Sequence, residues 1–468
     1  MDWLTELFSD IDNVIWGTAI FGVTSILTPL LLGVGIFLTF RFRLLQFSQL
    51  GAALHYGLIK RREKTEQGDV SHYQALMAAL SGTVGTGNIG GVATAIALGG
   101  PGALFWMWIT ALLGMATKYG EAVLGVKYRT TDRVGEKAGG PMYFLRNGIG
   151  GVTGRTMGGL FAVFAAIAAF GIGNTVQSNA TTSYVNATFG IPIWVGGIVL
   201  MVLAGLVILG GIKRLGAVAG ALVPLMLVLY LVAGLVLLAI NVTEIPAALA
   251  LIFESAFTGT AATGGFAGAG VLFAIQYGVA RGIFSNESGL GTGGIAAAAA
   301  RTTAPVRQGL VSMTQTFIDT IIICSITGLG IVVTGAWTAD IDADLLTQEA
   351  FSRGMGQVGA SVVTIVLALF TFTTMLTWAY YGERNIVYLV GRRGVLPYRL
   401  VFIVLIYVGS TLTLEFVWTF ASVMNGLMAL PNLIGLLVLS GVIWRETKDY
   451  FRRTGGKLDS DISTIAPD

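Results

Sequence analysis

One cysteine, two histidines and a charged fraction of 11% leave this chain of 468 residues short of the side chains from which most enzyme sites are built. Cys324 stands alone in an apolar run, which excludes an internal disulfide and argues against redox chemistry. His55 and His72 form no H-E-x-x-H pattern, G-x-S-x-G is missing, and the glycine-rich residues 289–294 lack the lysine of a P-loop. No catalytic residue and no cofactor are therefore expected, and any work the protein does must draw on an ion gradient or a partner. The net charge of +3 is small and sorted along the chain, so a nucleic-acid partner is not expected either. The acidic start MDWLTE has no basic n-region, and a cleavable signal peptide is not expected.

What the chain has instead is apolar surface and glycine: 54% hydrophobic residues and 65 glycines. Soluble domains carry roughly 25% charged residues, so this composition is that of a polytopic helical membrane protein. About eleven apolar segments can be read, near 14–40, 73–98, 102–126, 157–180, 191–211, 216–240, 246–280, 309–336, 357–382, 398–416 and 418–444, each close to or above the ~20 residues that span a bilayer.

Basic residues orient them, because Lys and Arg in short loops stay cytoplasmic. Residues 1–13 carry Asp2, Glu6, Asp10 and Asp12 and no base, which places the N-terminus outside. Alternate loops then hold the bases, among them Arg41, Arg43, Lys60, Lys127, Arg129, Lys137, Lys213, Arg214, Arg281, Arg301, Arg307, Arg384, Arg392 and Arg399, and finally Arg445 to Lys457 in the tail. The intervening loops hold Arg353 beside acids. The resulting layout is an extracytoplasmic N-terminus (1–13), an extra helix (14–40), two five-helix sets (72–241 and 244–444) and a cytoplasmic tail (445–468). Five is odd, so the second set is inverted relative to the first.

Each set opens with a segment that no ordinary spanning helix would contain. Residues 79–91 read ALSGTVGTGNIGG, and residues 257–270 read FTGTAATGGFAGAG. Unwound backbone at membrane depth survives where it lines a cavity or binds something, and paired interruptions point to a transporter's midplane site. Residues 85–90 also fit G-x-G-x-x-G, but the flanking strand and the later acid of a dinucleotide fold are missing. Close helix packing through small residues is the plainer alternative; Ser81, Thr83, Thr86 and Asn88 add polar groups that packing does not require. The amides of Thr86 and Gly87, at the positive end of the following half-helix, suit a carboxylate. Carbonyls at Ser81, Thr83 and Val84, with the Asn88 side chain, are hard oxygen ligands suited to Na+.

Several longer runs carry a family resemblance: GTGNIG at 85–90, GGPGALFWMW at 99–108, GGPMY at 139–143, GIGNTVQ at 171–177, RGIFSNESGLG at 281–291 and WAYYGE at 378–383. In this order, over nearly the whole chain, they resemble the alanine/glycine:cation symporter family. That resemblance implies sodium-coupled uptake of small neutral amino acids on a leucine-transporter-like fold of ten helices plus one. It also implies that Gln177 contacts substrate and that Thr373 and Thr374 supply hydroxyls to a sodium ion shared with the first interrupted helix. Trp378, one turn beyond Thr374, is a candidate pocket wall, and Phe266 in the second glycine-rich segment a candidate lid.

Charges inside or beside spans are functional suspects. Lys118 and Glu121, three apart, read as a pair snorkelling to the cytoplasmic interface. Arg281 and Glu287 flank a motif read as cytoplasmic, which makes them inner-gate candidates. Asp319 lies deeper and leaves proton coupling open as the alternative to Na+, whereas neutral oxygens at the other positions favour Na+. A channel would need a continuous polar lining or a repeated selectivity ring, and neither is visible.

Overall fold

Segments that must satisfy their own backbone groups in lipid become helices, and the computed structural model is helical through most of the residues it describes, 2–16, 26–60, 68–132, 135–258 and 270–455. The N-terminal region forms α1 (Asp2–Trp16) and α2 (Leu27–Arg41). Next come α3 (His72–Thr83) and α4 (Val92–Gly99), two halves of one interrupted element, and the long α5 (Gly102–Lys127). Ser71 starts α3 with a reciprocal cap: its hydroxyl accepts from the Gln74 amide at 3.2 Å and its own amide donates to Gln74 Oε1 at 2.9 Å.

The first set continues with α6 (Gly151–Phe170), α7 (Val176–Phe189), α8 (Ile193–Ile208) and α9 (Gly211–Ile240). A π-turn at Gly171–Thr175 joins α6 to α7. Further along come α10 (Ile245–Thr258), α11 (Gly270–Asn286), α12 (Thr292–Ala298), α13 (Pro305–Thr316), α14 (Ser325–Val333), α15 (Leu346–Val390), α16 (Val395–Thr411) and α17 (Leu414–Val438). The final helix is α18 (Ser440–Thr454). Among the described residues, six helical stretches are long and apolar enough to cross a membrane, namely Gly151–Phe189, Arg214–Ile240, Pro305–Val333, Ala343–Val390, Arg392–Thr411 and Leu414–Val438.

The seventh apolar segment, read over 246–280 as long enough to include an approach segment or a break, holds α10 and α11, and residues 259–269 between them lie outside those described. Phe266 and most of the glycine-rich run at 257–270 fall there. A clear interruption stands further on, between α11 and α12. Glu287 (φ 57°), Gly289 (φ 95°) and Gly291 (φ 88°) all turn left-handed there, a conformation rare for a residue with a side chain such as Glu287. The motif at 281–291 thus spans the end of α11 and this interruption. Its two charges gave it the look of a loop, whereas both are accommodated inside the bundle.

Arg281 lies beside α1. It lines a cavity with Asp12 and Trp16 of α1, and the Trp16 indole donates to the Ser422 carbonyl of α17 at 3.0 Å. The basic loops meet elsewhere. There Arg129 donates to the carbonyls of Ala298, Ala300 and Thr302, Val70 bridges to Ala300, and the Lys137 amide donates to Asp69 at 2.8 Å. A short antiparallel pair, β1 (Thr130–Thr131) with β2 (Lys137–Ala138), lies in the same layer. Arg384 and Arg392 hold Glu136 at 2.9 and 2.6 Å, and Arg399 holds Glu383 at 2.6 Å. The segments that flank α3 and α12, at Asp69–Val70 and at residues 298–302, thus meet in this layer.

Small residues let the interrupted elements approach their neighbours. A Cβ on Gly125 of α5 would fall 2.5 Å from the Gly294 carbonyl oxygen and 2.7 Å from the Gly294 Cα of α12, with backbone rather than a yielding side chain in the way. Gly125→Val is therefore expected to lower the melting temperature in detergent, since overpacking of this kind costs about 1–3 kcal/mol. Gly159→Ala, with nothing within 4 Å of the new Cβ, is the matched control. Equal melting temperatures for the two variants would refute the tight contact between α5 and α12.

Candidate functional site

The chain leaves helical geometry after Thr83, where Val84 turns extended (φ −77°, ψ 93°). Several of the backbone groups released there are met by side chains, while the Asn88 amide donates to the Gly85 carbonyl at 3.2 Å. The Gly85 amide donates to Asn88 Oδ1 at 2.9 Å and the Thr86 amide to Gln177 Oε1 at 3.0 Å. On the acceptor side, the Val84 carbonyl takes the Thr374 hydroxyl at 3.1 Å and the Gly82 carbonyl the Trp378 indole N–H at 3.2 Å. The Asn88 and Ile89 carbonyls take Thr327 at 2.7 Å and Thr347 at 2.9 Å.

Gln177, Thr374 and Trp378 thus converge on the first interruption from two other helices, and no local rule of the sequence would bring them together. Glycine makes the approach possible. A Cβ on Gly85 would come within 2.7 Å of Thr374 Oγ1 and 2.9 Å of Gln177 Oε1, one on Gly87 within 2.9 Å of Ser285 Cα, and one on Gly173 within 2.0 Å of Trp378 Cβ. Gln177 is itself fixed by donating Nε2 to the Ile172 carbonyl at 2.7 Å in the π-turn. The Thr86 hydroxyl is fully buried and has no hydrogen-bond partner, an uncommon state for a native polar group.

The hydroxyls expected to bind an ion are distributed unevenly. Thr374 Oγ1 faces the Val84 carbonyl and the Phe370 carbonyl, the latter at 3.0 Å. Thr373 Oγ1 instead faces Met226 Sδ at 3.3 Å and its own helix at Phe370, while its carbonyl accepts the Ser81 hydroxyl at 2.9 Å. Thr83 Oγ1 bonds back to Ala79 at 3.1 Å. Thr377, which the sequence reading passed over, donates to Ser81 Oγ at 2.7 Å. Thr371 faces α7, 2.5 Å from the Thr181 hydroxyl.

Asp319 is the residue whose place the sequence most understated. It is fully buried in the π-turn Phe317–Cys324, with Oδ1 accepting from Asn88 Nδ2 at 2.8 Å and Oδ2 from Ser285 and Thr320, each at 2.8 Å. One carboxylate so connects the first interruption, the half-helix α11 and the element joining α13 to α14. Its position as the lone acid of an apolar run was the available signal.

The second interruption is held by charge. Glu121 Oε1 accepts from the amides of Gly289 (2.9 Å) and Gly291 (3.0 Å) and from Asn432 Nδ2 (2.9 Å), while Lys118 Nζ donates to the Glu287 carbonyl at 3.1 Å. Lys118 and Glu121 are 4.0 Å apart and essentially inaccessible, so the expected snorkelling pair is an interior one. The reason is specific: unwound backbone at 287–291 offers both charges partners that the interface could not better. Glu287 points into the bundle, where Oε1 accepts the Trp378 indole N–H at 2.8 Å and Oε2 accepts from Thr292 at 2.6 Å. A single indole N–H therefore lies between the Gly82 carbonyl of one interruption and the Glu287 carboxylate of the other.

An assembly of this kind has paired amides and a side-chain amide fit for a carboxylate, oxygen clusters fit for a hard cation, and no nucleophile with an activating base. The comparisons with known proteins agree. The description "Sodium:alanine symporter family" matches residues 1–463. The chain is 51% identical to an uncharacterized transporter of Haemophilus influenzae, over 96% of this chain and 97% of that protein. It is 49% identical to the sodium/alanine symporter AgcS of Methanococcus maripaludis, over 96% and 98%. In fold it is similar to a crystal structure of the Eremococcus coleocola manganese transporter, with a TM-score of 0.51 at 15% identity over 79% of this chain and 78% of that one. With helices that cross a membrane several times, transporters as relatives and a match that spans nearly its whole length, the chain is a multi-pass membrane transporter, not an enzyme, and belongs to the sodium:alanine symporter family.

Proposed function

We propose that the protein carries alanine or glycine into the cell together with Na+ by alternating access, on one N-terminal helix plus two inverted five-helix repeats, with its N-terminus outside and its C-terminus in the cytoplasm. The observation that carries this reading is the Thr86 amide held by Gln177 beside an unpartnered, buried Thr86 hydroxyl. A substrate carboxylate can take over the amides of Thr86 and Gly87 while the Gln177 side chain turns to the amino acid. Trp378 walls the site and Thr374 borders it; Phe266 keeps its assignment as a lid from the sequence. No cofactor takes part, and Na+ is cargo.

For the ion, Val84 carbonyl and Thr374 hydroxyl form the best supported pair, with Ser81 and the backbone of Thr373 and Thr83 beside them. Asn88 with Asp319 offers a second set of hard oxygens. Proton coupling is the alternative, favoured by one observation, the buried Asp319 carboxylate next to Asn88. Proteoliposomes loaded to impose Na+, K+ or H+ gradients separate the two readings. Labelled alanine or glycine is expected to accumulate with an inward Na+ gradient and to keep doing so when the pH gradient is collapsed. Accumulation driven by protons without Na+ would establish the alternative.

Gln177→Ala removes the amide that meets both the Thr86 N–H and the Ile172 carbonyl. A lost contact to a charged group is worth about 1.5–3 kcal/mol, so alanine affinity is expected to fall roughly 10-fold to 150-fold. Normal affinity in a folded variant, measured by equilibrium dialysis, would reduce Gln177 to a packing role.

Thr374→Val should raise the Na+ concentration for half-maximal uptake, because valine keeps the shape and deletes the oxygen that faces Val84, and a hard cation gains nothing from a methyl group. Thr373→Val is expected to shift it less, as that hydroxyl faces Met226. Thr371→Val, facing Thr181, controls for packing. Equal shifts in the three sodium titrations would signal a general defect instead of a ligand.

A further inference from the structure

Away from the interruptions, α1, α11 and α17 enclose a cavity of about 50 Å³. Its lining includes Asp12, Trp16, Gln276, Arg281, Phe284 and Asn425. Four of these side chains bring a buried polar atom without a hydrogen-bond partner: Asp12 Oδ1, Gln276 Oε1, Arg281 Nε and Asn425 Oδ1. Asn425 is only 2% exposed, so water outside the protein does not serve it. Buried polar atoms left open in this way are costly, and several in one cavity mark a place built for an occupant.

The charges define that occupant. A lone anion would meet the Asp12 carboxylate and two amide oxygens, and a lone cation would meet the Arg281 guanidinium. A small zwitterion answers both, its carboxylate toward Arg281 and its ammonium toward Asp12, Gln276 and Asn425. Burial pushes the Asp12 carboxyl up from its ordinary value, while the Ser422 hydroxyl and Arg281 pull it down. Size agrees as well. The space of about 50 Å³ is several times the roughly 10–15 Å³ that admits one water, so it admits something larger than a single water.

The cavity also adjoins the site already described. Arg281 lies over the Trp418 ring at 4.0 Å, and Trp418 packs on Phe284 with ring centroids 4.5 Å apart. Phe284 in turn reaches within 3.4 Å of a Cβ on Gly87. One aromatic layer thus separates the cavity from the first interruption.

We infer that the cavity between α1, α11 and α17 is a second binding site for a small zwitterionic amino acid, a staging site one aromatic layer from the transport site. It rests on the reading that small neutral amino acids are the cargo. Arg281 then serves at the α1 end of the bundle as a ligand, in place of the inner-gate role its sequence context implied.

Equilibrium dialysis of the purified full-length protein in Na+ with labelled alanine, and separately with labelled glycine, tests it by stoichiometry. Two bound molecules per chain are expected at saturation. Asp12→Asn and Asn425→Ala should each weaken one of the two, by roughly 10-fold to 150-fold for the charged partner, while the other persists and reports an intact fold. Gln177→Ala should weaken the opposite one. A single molecule per chain, sensitive to Gln177→Ala and indifferent to Asp12→Asn, overturns the second site and leaves the proposed function standing. Two molecules unaffected by both cavity variants overturn the assignment to this cavity. No binding of either amino acid overturns the staging site together with the cargo reading.

Discussion

Backbone that unwinds in hydrocarbon must find new partners for the amides and carbonyls it releases, since lipid offers none. That constraint organises this protein. At the first interruption the partners are neutral, supplied by Gln177, Thr374, Trp378, Thr327 and Thr347. At the second they are largely ionic, supplied by Glu121 and Lys118 with Asn432 and Gln315. The difference has a consequence for ligands. Neutral partners can be exchanged for a substrate carboxylate or an ion without stranding a charge, whereas displacing Glu121 or Lys118 would leave an uncompensated charge in the interior, which is typically worth about 3–5 kcal/mol. The first interruption is the better place to bind and release; the second is the better place to hold.

Trp378 ties the two together. Its indole N–H is shared by the Gly82 carbonyl and the Glu287 carboxylate, and its Cβ occupies the space that Gly173 leaves open. Any movement that separates the two half-helices must break one of those bonds, and Glu287 already occupies an unfavourable backbone conformation. A bond of this kind favours one of two arrangements without fixing it, which is what a population shift between states requires.

Much of the architecture was legible from composition because hydropathy and glycine obey a simple solvent rule. The first interruption was readable too, since Gly85 and Gly87 sit among polar residues that packing does not explain. The glycine-rich run at 257–270 lies largely outside the described residues; the interruption at 287–291 was not expected, because the charges of Arg281 and Glu287 read as loop. Charge sorting works on loops in water, and it fails where a buried arginine finds Asp12 and an aromatic face or a buried glutamate finds an indole. Asp319 was seen but undervalued, because its three partners come from residues 88, 285 and 320, and only the fold brings the first two to it. The same holds for the orientation of Thr373 against Thr374: adjacent positions on a helix are about 100° apart, but which one faces the interruption depends on helix rotation.

The placement of Asp319 bears on how ion and substrate would be coupled. Three hydrogen bonds orient the Asp319 carboxyl in the interior without supplying a counter-charge, so a cation or a proton is the partner it lacks. Asn88 links that position to the first interruption: its Nδ2 holds Asp319 while its Oδ1 holds the Gly85 amide, next to the Thr86 amide that Gln177 occupies. On the proposed reading, an ion that draws on Asp319 and Asn88 fixes the side chain that orders the carboxylate-binding backbone. A substrate carboxylate on that backbone adds negative charge close to the ion. On that same proposed reading each ligand raises the affinity for the other by the same factor, as linkage requires, through a relay no longer than one asparagine.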